Sequence, residues 1–548
     1  MRILNSYRPV LLAAIFALGI KAASAKDIYI AQNASGGANG QDCADALAAT
    51  FFNASGNWGT GASQIGPGTT VHLCGTFTGG PGATALTFQG SGASGNPITL
   101  LFEPNAVLQA PYWAASGGGF GGGAIVMSTF GSPRSYITVD GGTNGTIQNT
   151  ANGDGLANQQ DSEAISAWEC ANCVIRNLKI SNIYVHSNPS SNTTDETKKN
   201  CIEFSGSNWT ISGNVFHDVG WCLFHGYTNG NDSVEINNNE IYNFTHGYAL
   251  MGTQNGGPAI TNISFHDNYL HDTYKWDTVN CAYHHDGIHV FGTTTPAVSS
   301  INGLYVYNNY FAGNWGSCQT GQVFVEANYN DANLSNSAWW NNVFVEGAGS
   351  GPSYTGVFGL FSGKSGTTQV YNNTCITSNA SDGASCYQIQ NITGLTFKNN
   401  LASNVNNPIG IARSTFSAGA VDYNYYGGPC SGGNCFSWGS GFSGSLAAWQ
   451  TACGCDSHAV QNSLLALNAD GSPQTGAAPA AMGTDLASLA VGRLAALASD
   501  TTQGGRRTPS PRPSGTTPWT PGAYSLSSGS GGGTNPPAPP TGLSATVK

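Results

Sequence analysis

The sequence predicts an all-β fold in which the chain winds into stacked parallel coils. Two observations support this prediction. Between Asn177 and Asn400, a short motif with apolar or aromatic residues on both sides of an Asn occurs eight times, at a mean spacing of about 32 residues. Charged residues make up only 9% of the chain, and 75 of its 548 residues are Gly. Stacked coils favour such a composition, because small side chains suit tight and repeated turns.

The repeated Asn is expected to form a hydrogen-bonded ladder along one corner of the stack. In stacked coils the same turn recurs about 4.8 Å above the previous one, and an Asn amide both donates and accepts hydrogen bonds. The short apolar runs beside each Asn have the composition of strands and are too short for helices. The motif occurs at Asn177, Asn214, Asn239, Asn268, Asn309, Asn342, Asn373 and Asn400.

The two ends of the chain differ in composition from the repeats. Residues 1–25 have the features of a secretory signal peptide, namely basic residues, a short apolar run and a small-residue cleavage site. We expect the stacked coils over residues 26–422, with a capping helix within 42–58 at their open end. A C-terminal cap and the final coils are expected over 423–526, and the Gly- and Pro-rich residues 527–548 predict a disordered tail.

The 14 cysteines are an even number, which in an exported chain indicates disulfide bonds. The pairs expected from stacking or from short loops are Cys43–Cys74, Cys201–Cys222, Cys281–Cys318 and Cys375–Cys386. Cys170 and Cys173 favour a local bridge over a metal site, because the sequence lacks a second CxxC. The cysteines of the C-terminal cap can pair in three ways; they are Cys430, Cys435, Cys453 and Cys455.

Several segments resemble known proteins. The opening KDIYIAQNASGG, the segments GPGTTVHLCGTFTG (66–79) and NPITLLFEPNAVL (96–108), the Asn repeats, and the late WQTACGCDSHAV and WTPGAYSL are similar to the right-handed parallel β-helix proteins of the pectin-lyase-like superfamily. The resemblance covers roughly residues 27 to 526. It implies a right-handed single-stranded parallel β-helix with an N-terminal capping helix and a Cys-rich C-terminal cap. Most such proteins are secreted and act on polysaccharides, although some are non-catalytic adhesins.

The sequence departs from the family in its identifying residues. The members that hydrolyse polygalacturonate carry Asn-Thr-Asp, Asp-Asp, Gly-His-Gly and Arg-Ile-Lys, and this chain has none of the four. The strand Arg of pectate lyases is also missing. The resemblance therefore implies an architecture without specifying a sugar or a reaction.

Histidines concentrate in one part of the repeats. Nine of the 11 histidines lie between His186 and His289. Alternation along the strands at 201–206, 221–226, 247–252 and 287–292 predicts one outward face, with Glu203, Leu223, His225, Ala249 and His289 upon it. The segment 274–292 adds Asp277, His284, His285 and Asp286. An Asp beside an imidazole suits acid–base catalysis, because the carboxylate orients the ring and stabilises its charge.

Two reactions on polysaccharide fit these residues. In a lyase, His289 would be the base, while Lys275 or a Ca²⁺ held by Asp277, Asp286 and Glu203 would neutralise a uronate carboxylate. In a hydrolase, Glu203 and Asp286 would be the carboxyl pair. Imidazole with carboxylate also suits zinc or iron, although the spacing of these residues fixes no ligand set. The predicted catalytic residues are Asp286, His289, Glu203 and His285, and the predicted substrate-binding residues are His225, His246, Lys275, Trp276 and Tyr283.

The net charge of −11 argues against nucleic acid as a partner, because phosphate binding requires a basic patch. No segment after the leader is long and apolar enough to span a membrane. We predict a secreted protein, extracellular or periplasmic, that binds polysaccharide and cleaves it as a lyase or hydrolase. The alternative is a non-catalytic surface or matrix protein, in which the same His and Asp residues only cap turns.

Overall fold

The structure, a computed structural model, describes residues 26–525 apart from short internal segments. The leader and the tail expected from the sequence, residues 1–25 and 527–548, lie outside the described residues. The internal segments that are not described are residues 118–120, 153–159, 184–199, 227–231, 253–257, 278–280, 282–283, 293–298, 327–331, 352, 354, 362–364, 378–384, 404–406, 412–415, 418, 429–434, 438–441, 463–466, 475–481, 514 and 516–517.

Short strands follow one another along the described chain. They are β1 (Lys26–Ala31), β2 (Leu47–Ala48), β3 (Thr69–Leu73), β4 (Thr76–Thr78), β5 (Leu86–Thr87), β6 (Ile98–Phe102), β7 (Val107–Ala110), β8 (Ile125–Ser128), β9 (Ile137–Asp140), β10 (Thr146–Asn149), β11 (Ile165–Ala167), β12 (Cys173–Arg176), β13 (Lys179–Ser181), β14 (Ile202–Phe204), β15 (Trp209–Ser212), β16 (Val215–His225), β17 (Asp232–Asn237), β18 (Glu240–Met251) and β19 (Ile260–His266). They continue as β20 (Tyr269–His271), β21 (His285–Phe291), β22 (Ser299–Tyr307), β23 (Tyr310–Ala312), β24 (Gln319–Val325), β25 (Ala332–Trp340), β26 (Val343–Val345), β27 (Phe358–Leu360), β28 (Ser365–Tyr371), β29 (Thr374–Ile376), β30 (Ser385–Ile389), β31 (Leu395–Lys398), β32 (Leu401–Ser403), β33 (Asn407–Ile411), β34 (Val421–Asp422), β35 (Tyr425–Gly427), β36 (Phe436–Ser437), β37 (Ser443–Gly444) and β38 (Val460–Asn462).

The strands form the three faces of a prism, which confirms the predicted parallel β-helix. The first face is a sheet of 14 strands that begins β2-β1-β3-β6-β9 and ends β28-β31-β34. The second face runs from β4, β7 and β10 through β20 and β23 to β35 and β38. The third face includes β11, β14, β21, β24 and β27. The long strands β16 and β18 turn a corner and belong to both the second and the third faces.

The core consists of apolar side chains stacked in register between the faces. On the first face, Ile211, Ile236, Phe265, Val306 and Trp339 pair in successive coils, and all are fully buried. Each coil would expose this surface if it stood alone, so burial comes from the neighbouring coils.

The asparagine ladder lies buried at the corner between the first and second faces. Its members are Asn214, Asn239, Asn268, Asn309, Asn342, Asn373, Asn400 and Asn424. Asn309 shows the repeated pattern, since its Nδ2 donates to Asn342 Oδ1 at 3.0 Å and its Oδ1 accepts from the backbone and side-chain nitrogens of Asn268. The ladder satisfies polar groups that burial would otherwise leave unpaired.

Seven of the eight predicted positions belong to the ladder, and Asn177 does not. Leu178 occupies the ladder position of that coil, and its N–H donates to Asn214 Oδ1. Asn177 lies one residue earlier, with a left-handed φ of 58° that Asn tolerates better than most residues. At the other end the ladder extends to Asn424, whose side chain donates to Asp456.

Both ends of the prism carry short helices. Near the N-terminus, α1 (Ala49–Asn53) and a 3₁₀ turn at Ser55–Asn57 are shorter than the helix expected over 42–58. Phe52 of α1 is buried against Trp58 and Phe88, so the segment does cover apolar surface. In the C-terminal part, α2 (Leu446–Cys453) begins at Ser445, which caps it by accepting from the N–H of Ala448.

A C-terminal segment, residues 482–525, folds back over the outer sides of the first two faces. It contains 3₁₀ turns at Ala487–Leu489 and Gly492–Ala498. Its Leu486, Leu497 and Trp519 pack against outward side chains of the first face such as Trp340. The buried Arg512 donates to Asn341 Oδ1 at 3.1 Å. We call this segment the strap.

The disulfides largely follow the stacking prediction. Cys43–Cys74, Cys170–Cys173, Cys281–Cys318 and Cys375–Cys386 are bonded as expected, and Cys453 bonds to Cys455. Cys435 is also disulfide-bonded, and Cys430 lies outside the described residues. The expected Cys201–Cys222 bond is wrong, because both thiols are free and buried in adjacent coils. In the described part of the chain, no helix has the length and apolar character needed to cross a bilayer.

Candidate active site

Three histidines and one aspartate converge where the third face begins. β18 supplies His246, β21 supplies Asp286 and His289, and His284 comes just before β21. Because β18 and β21 are paired in parallel, His246 lies opposite Asp286, and Ala249 lies opposite His289. We call His246, His284, Asp286 and His289 the histidine cluster.

The cluster is centred on one carboxylate oxygen. Asp286 Oδ2 lies 3.4 Å from His246 Nε2, 3.2 Å from His284 Nε2 and 3.6 Å from His289 Nδ1. One ligand atom from each of the four residues lies within 4.8 Å of the corresponding atoms of the others. The group could therefore hold a metal ion or pass protons between its members.

Asp286 is a fully buried carboxylate. Burial alone would raise the pKa of Asp286, but the neighbouring His284, His246 and His289 hold it below its usual range. Burial lowers the pKa of His246 to about 3, and Asp286 offsets this effect only in part. His284 is the most exposed member, with 42% of its side chain accessible. The cluster thus joins an ionised, buried acid to an imidazole at the surface.

Carboxylate and aromatic side chains surround the cluster. His289 Nε2 lies 3.4 Å from Glu326 Oε2, so a carboxylate faces each nitrogen of this ring. The ring of His246 packs on Trp221 with centroids 4.7 Å apart, and that of His289 packs on Phe324 at 5.1 Å. These contacts fix the orientation of both imidazoles.

The predicted catalytic residue His285 points away from the cluster. Its Nε2 bonds to Asp277 Oδ1 at 2.8 Å, and Asp277 also accepts from the N–H groups of Ser317 and Cys318. These contacts join the loop before β21 to the start of β24, which is a structural role. His285, Asp277 and Cys318 also lie close enough together to suggest a metal site. The sulfur of Cys318, however, is bonded to Cys281 and is not a free thiolate.

Two of the predicted substrate-binding residues make contacts outside the histidine cluster. Lys275 forms an ion pair with Asp218 at 3.2 Å. Trp276 is buried, and its Nε1 donates to the carbonyl of Asn243, so its ring cannot stack on a sugar. Tyr283 lies outside the described residues. Of this group of predictions, only His246 is in the cluster.

His225 was expected on the outward face, and this expectation is wrong. Its strand pairs Leu223 with Ile202 and His225 with Phe204, one residue out of step with the predicted register. A slip of one residue moves every side chain to the opposite face. His225 is therefore fully buried, stacks on Phe204 and bonds to the hydroxyl of Tyr248 at 2.9 Å. Burial lowers its pKa to about 3.

Glu203 does face outward in the same column as His289. Phe224 and Ala249 stand between them in the column, however, so they are three strand spacings apart, or roughly 14 Å. This separation is too long for Glu203 and Asp286 to act as a hydrolytic pair. It also does not support a Ca²⁺ site formed by Glu203, Asp277 and Asp286.

Glu203 has a different carboxyl partner, Glu163, which the sequence did not single out. Both side chains are buried. The hydroxyl of Ser116 lies 3.0 Å from Glu163 Oε2 and also contacts Glu203 Oε2. Burial, followed by the charge of Glu203, raises the pKa of Glu163 well above its ordinary value. The two carboxyls are thus linked through one hydroxyl, and the pKa of one of them is raised. Glu163 stands just before β11, and nothing in its local sequence marks it.

Comparisons with known proteins show a similarity of fold only. No family model matches the chain, and no curated protein matches it significantly. Among solved structures, the chain is similar to pectate lyase Pel9A, with 12% identity, a TM-score of 0.36, and coverage of 84% of this chain and 92% of that one. It is similar to the GH136 lacto-N-biosidase from Eubacterium ramulus, with 11% identity, a TM-score of 0.38 and coverage of 64% of each chain.

A third similar structure is a mannuronic acid specific polysaccharide family 6 lyase from human gut microbiota. It has 12% identity and a TM-score of 0.23, and the match covers 61% of this chain and 86% of that one. At these scores, none of the three structures assigns an activity or a substrate to this chain.

Proposed function

We propose that this protein is a secreted carbohydrate-active enzyme that binds polysaccharide along its third face and cleaves it at the histidine cluster. The observation that carries the proposal is the convergence of three imidazole nitrogens on the fully buried Asp286, at distances of 3.2 to 3.6 Å. The predicted leader and the disulfides support export to an oxidising compartment.

The cluster is suited to proton abstraction. His284 is the most exposed imidazole of the cluster, and Asp286 next to its Nε2 would stabilise the imidazolium that forms. In a lyase reaction on a uronate, the base takes the proton beside the carboxylate. The electrons of that C–H bond form a C=C bond as the glycosidic oxygen leaves and is protonated. The base is thus His284 and not His289, as the sequence had suggested, since both ring nitrogens of the buried His289 already face carboxylates.

Aromatic side chains beside the histidine cluster support the proposal of a sugar-binding surface. On the outer side of the third face, Trp168, Phe224 and Met251 form an apolar cluster. Trp221 and Phe291 pack against it and are partly exposed. Aromatic rings offer flat apolar surfaces that can cover a sugar ring.

Hydrolysis by the Glu163–Glu203 pair is a second candidate. One carboxyl with a raised pKa and a second one close beside it are the two groups that a retaining glycosidase requires. Glu203 lies in the same outward column as His289, three strand spacings away.

The experiment is a screen of the purified chain against uronate and neutral polysaccharides, with two readouts. Lyase products absorb in the ultraviolet because their new C=C bond is conjugated with the uronate carboxylate, whereas hydrolysis yields only new reducing ends. We expect His284→Ala to abolish the first activity and leave folding intact, as judged by circular dichroism. Glu163→Gln would abolish hydrolysis if the second candidate is correct.

His271→Ala is a matched control, because His271 also pairs with carboxylates but lies on the second face. Its activity should stay close to that of the unmodified chain. If no glycan is turned over, and polysaccharide binding is the same with and without His284→Ala, the proposal fails in favour of a non-catalytic binding protein.

A further inference from the structure

We infer that the histidine cluster is a binding site for one divalent transition-metal ion of the zinc class. Its ligands are His246 Nε2, Asp286 Oδ2 and His289 Nδ1, with His284 Nε2 as a fourth, exchangeable ligand. The inference concerns the same cluster as the proposed function, but metal binding is measured without any substrate.

The spacing of the donor atoms supports a metal site. With bonds of about 2.0–2.1 Å, the ligands of a tetrahedral zinc ion stand about 3.4 Å apart. The three distances from Asp286 Oδ2 to imidazole nitrogens are 3.4, 3.2 and 3.6 Å. These three separations match the spacing of ligands around one small ion, and all four donor atoms lie within 4.8 Å of one another.

Other histidines in the chain show what a hydrogen-bonded pair looks like. Six described histidines outside the cluster have a carboxylate partner, and their closest N···O distances are 2.6 to 2.9 Å. In the cluster these distances are longer, and neither oxygen of Asp286 nor either ring nitrogen of His246 forms a hydrogen bond to a described residue. Buried polar groups are normally paired, so the geometry of the cluster is that of ligands and not of a hydrogen-bonded network.

The donor set selects the class of ion. Three imidazoles and one carboxylate suit zinc, iron, copper or nickel, whereas Ca²⁺ takes six to eight oxygen ligands. Glu326, at 3.4 Å from His289 Nε2, is placed to orient this ligand through its second nitrogen. The Ca²⁺ considered from the sequence is therefore not the ion that these residues favour.

Exposure distinguishes the fourth ligand from the other three. His246 and Asp286 are fully enclosed and His289 nearly so, while 42% of the His284 side chain is accessible. Catalytic zinc sites have three protein ligands and one open position. A bound ion would supply positive charge to attract the carboxylate of an acidic sugar in a region that otherwise carries Asp286 and Glu326.

The test is zinc uptake by the full chain after treatment with a chelator, with folding confirmed by circular dichroism. Equilibrium dialysis against Zn²⁺, with metal measured by mass spectrometry, should give one ion per chain, and excess Ca²⁺ should not displace it. Asp286→Asn should weaken zinc affinity at least a hundredfold. His284→Ala should weaken it less, by about tenfold, and His271→Ala should leave it unchanged.

A second measurement needs only the unmodified chain, so it remains informative if a variant fails to fold. Co²⁺ added to the unmodified chain should give intense visible bands typical of a four- or five-coordinate site with nitrogen ligands, and Zn²⁺ should remove them. The inference is overturned if the folded chain takes up no stoichiometric zinc, if Asp286→Asn retains full affinity, or if His271→Ala loses as much. Failure to cleave any glycan does not contradict zinc binding. If the chain takes up zinc but cleaves no glycan, only the proposed function is wrong.

Discussion

The asparagine ladder and the histidine cluster are two groups of polar side chains buried in the same prism, and they differ in how their polar atoms are paired. In the ladder, each inner amide bonds to the coil above and the coil below. In the cluster, the oxygens of Asp286 have three nitrogens nearby and no hydrogen bond to a described residue. Stacking satisfies polar groups that repeat in register. Asp286 is instead held by ion pairs at 3.2 to 3.6 Å, and we attribute this difference to function.

The largest effect is expected on catalysis. His284→Ala or Asp286→Asn should lower turnover of the responsive glycan by roughly 10²–10⁴-fold, which is the usual contribution of a positioned acid–base group. Asn39→Ala is a suitable second control, because Asn39 is exposed and far along the chain from the cluster. Initial rates measured at saturating substrate test this prediction, and equal rates in Asp286→Asn and the unmodified chain would contradict it.

Substitutions in the asparagine ladder should lower the stability of the fold. Asn309→Ala removes the acceptor used by two nitrogens of Asn268 and the donor to the carbonyl of Phe265 and to Asn342. Each unpaired buried group costs about 1–3 kcal/mol, so we expect a loss of about 3–5 kcal/mol in the free energy of unfolding. Urea titration measures it, and Asn39→Ala should change it by less than about 0.5 kcal/mol. If Asn309→Ala lowers the free energy of unfolding only slightly, the ladder does not differ from the histidine cluster in the way described.

A second buried carboxyl sharpens the comparison with Asp286. Burial raises the pKa of Glu346 to about 8, and the hydrogen bond from the amide of Gln319 offsets this only in part. Between its unfolded pKa of about 4.3 and this value, the folded protein holds a proton that the unfolded chain releases. Its contribution to stability is thus complete at low pH and is lost as the pH rises towards 8.

Glu346→Gln should therefore be nearly neutral at acidic pH and stabilising by a few kcal/mol above pH 8. Thermal unfolding of both proteins across this range tests the sign. A gain of the same size at every pH would show that Glu346 is not protonated in the folded state.

The smallest effect is expected at a hydrogen-bonded histidine of the scaffold. Burial alone would lower the pKa of His271, but Asp272 and Glu240 raise it overall. The protonated ring therefore stabilises the fold fully below the unfolded pKa of about 6.5, and this contribution is lost as the pH rises through the higher folded pKa.

His271→Gln should destabilise the protein more at pH 6 than at pH 9. The difference should be at most about 1 kcal/mol, because both carboxylates are partly exposed and solvent screens them. Urea titrations at the two pH values measure it. A larger loss at pH 9 would mean that the neutral ring is the stabilising form.

Much of the fold could be predicted from sequence because the repeats record it directly. The ladder positions from Asn214 to Asn400 follow from one motif, and four disulfides follow from stacking or short spacing. Strand orientation failed at 221–226, where Trp, Cys, Leu and Phe are consecutive and no alternation distinguishes inside from outside. The error placed His225 on the wrong face.

The site was less accessible to sequence reasoning, for physical reasons. His284 and His285 are adjacent and chemically identical, so only the backbone at the start of β21 decides which of them meets Asp286; the pairing register shifts at this point. Glu163 and Glu203 are 40 positions apart in the chain, and the stack alone brings them together. Identifying such pairs requires the register of every coil between them.

The strap affects how this repeat protein unfolds. A simple solenoid has contacts only between neighbouring repeats, so it can fray from either end. Here Arg493 reaches Glu235, Arg512 reaches Asn341, and the amide of Asn399 donates to Thr484. One stretch thus fastens the coils from that of Glu235 to that of Asn399. Opening any of these coils requires the stretch to detach, which couples distant repeats into a single cooperative unit.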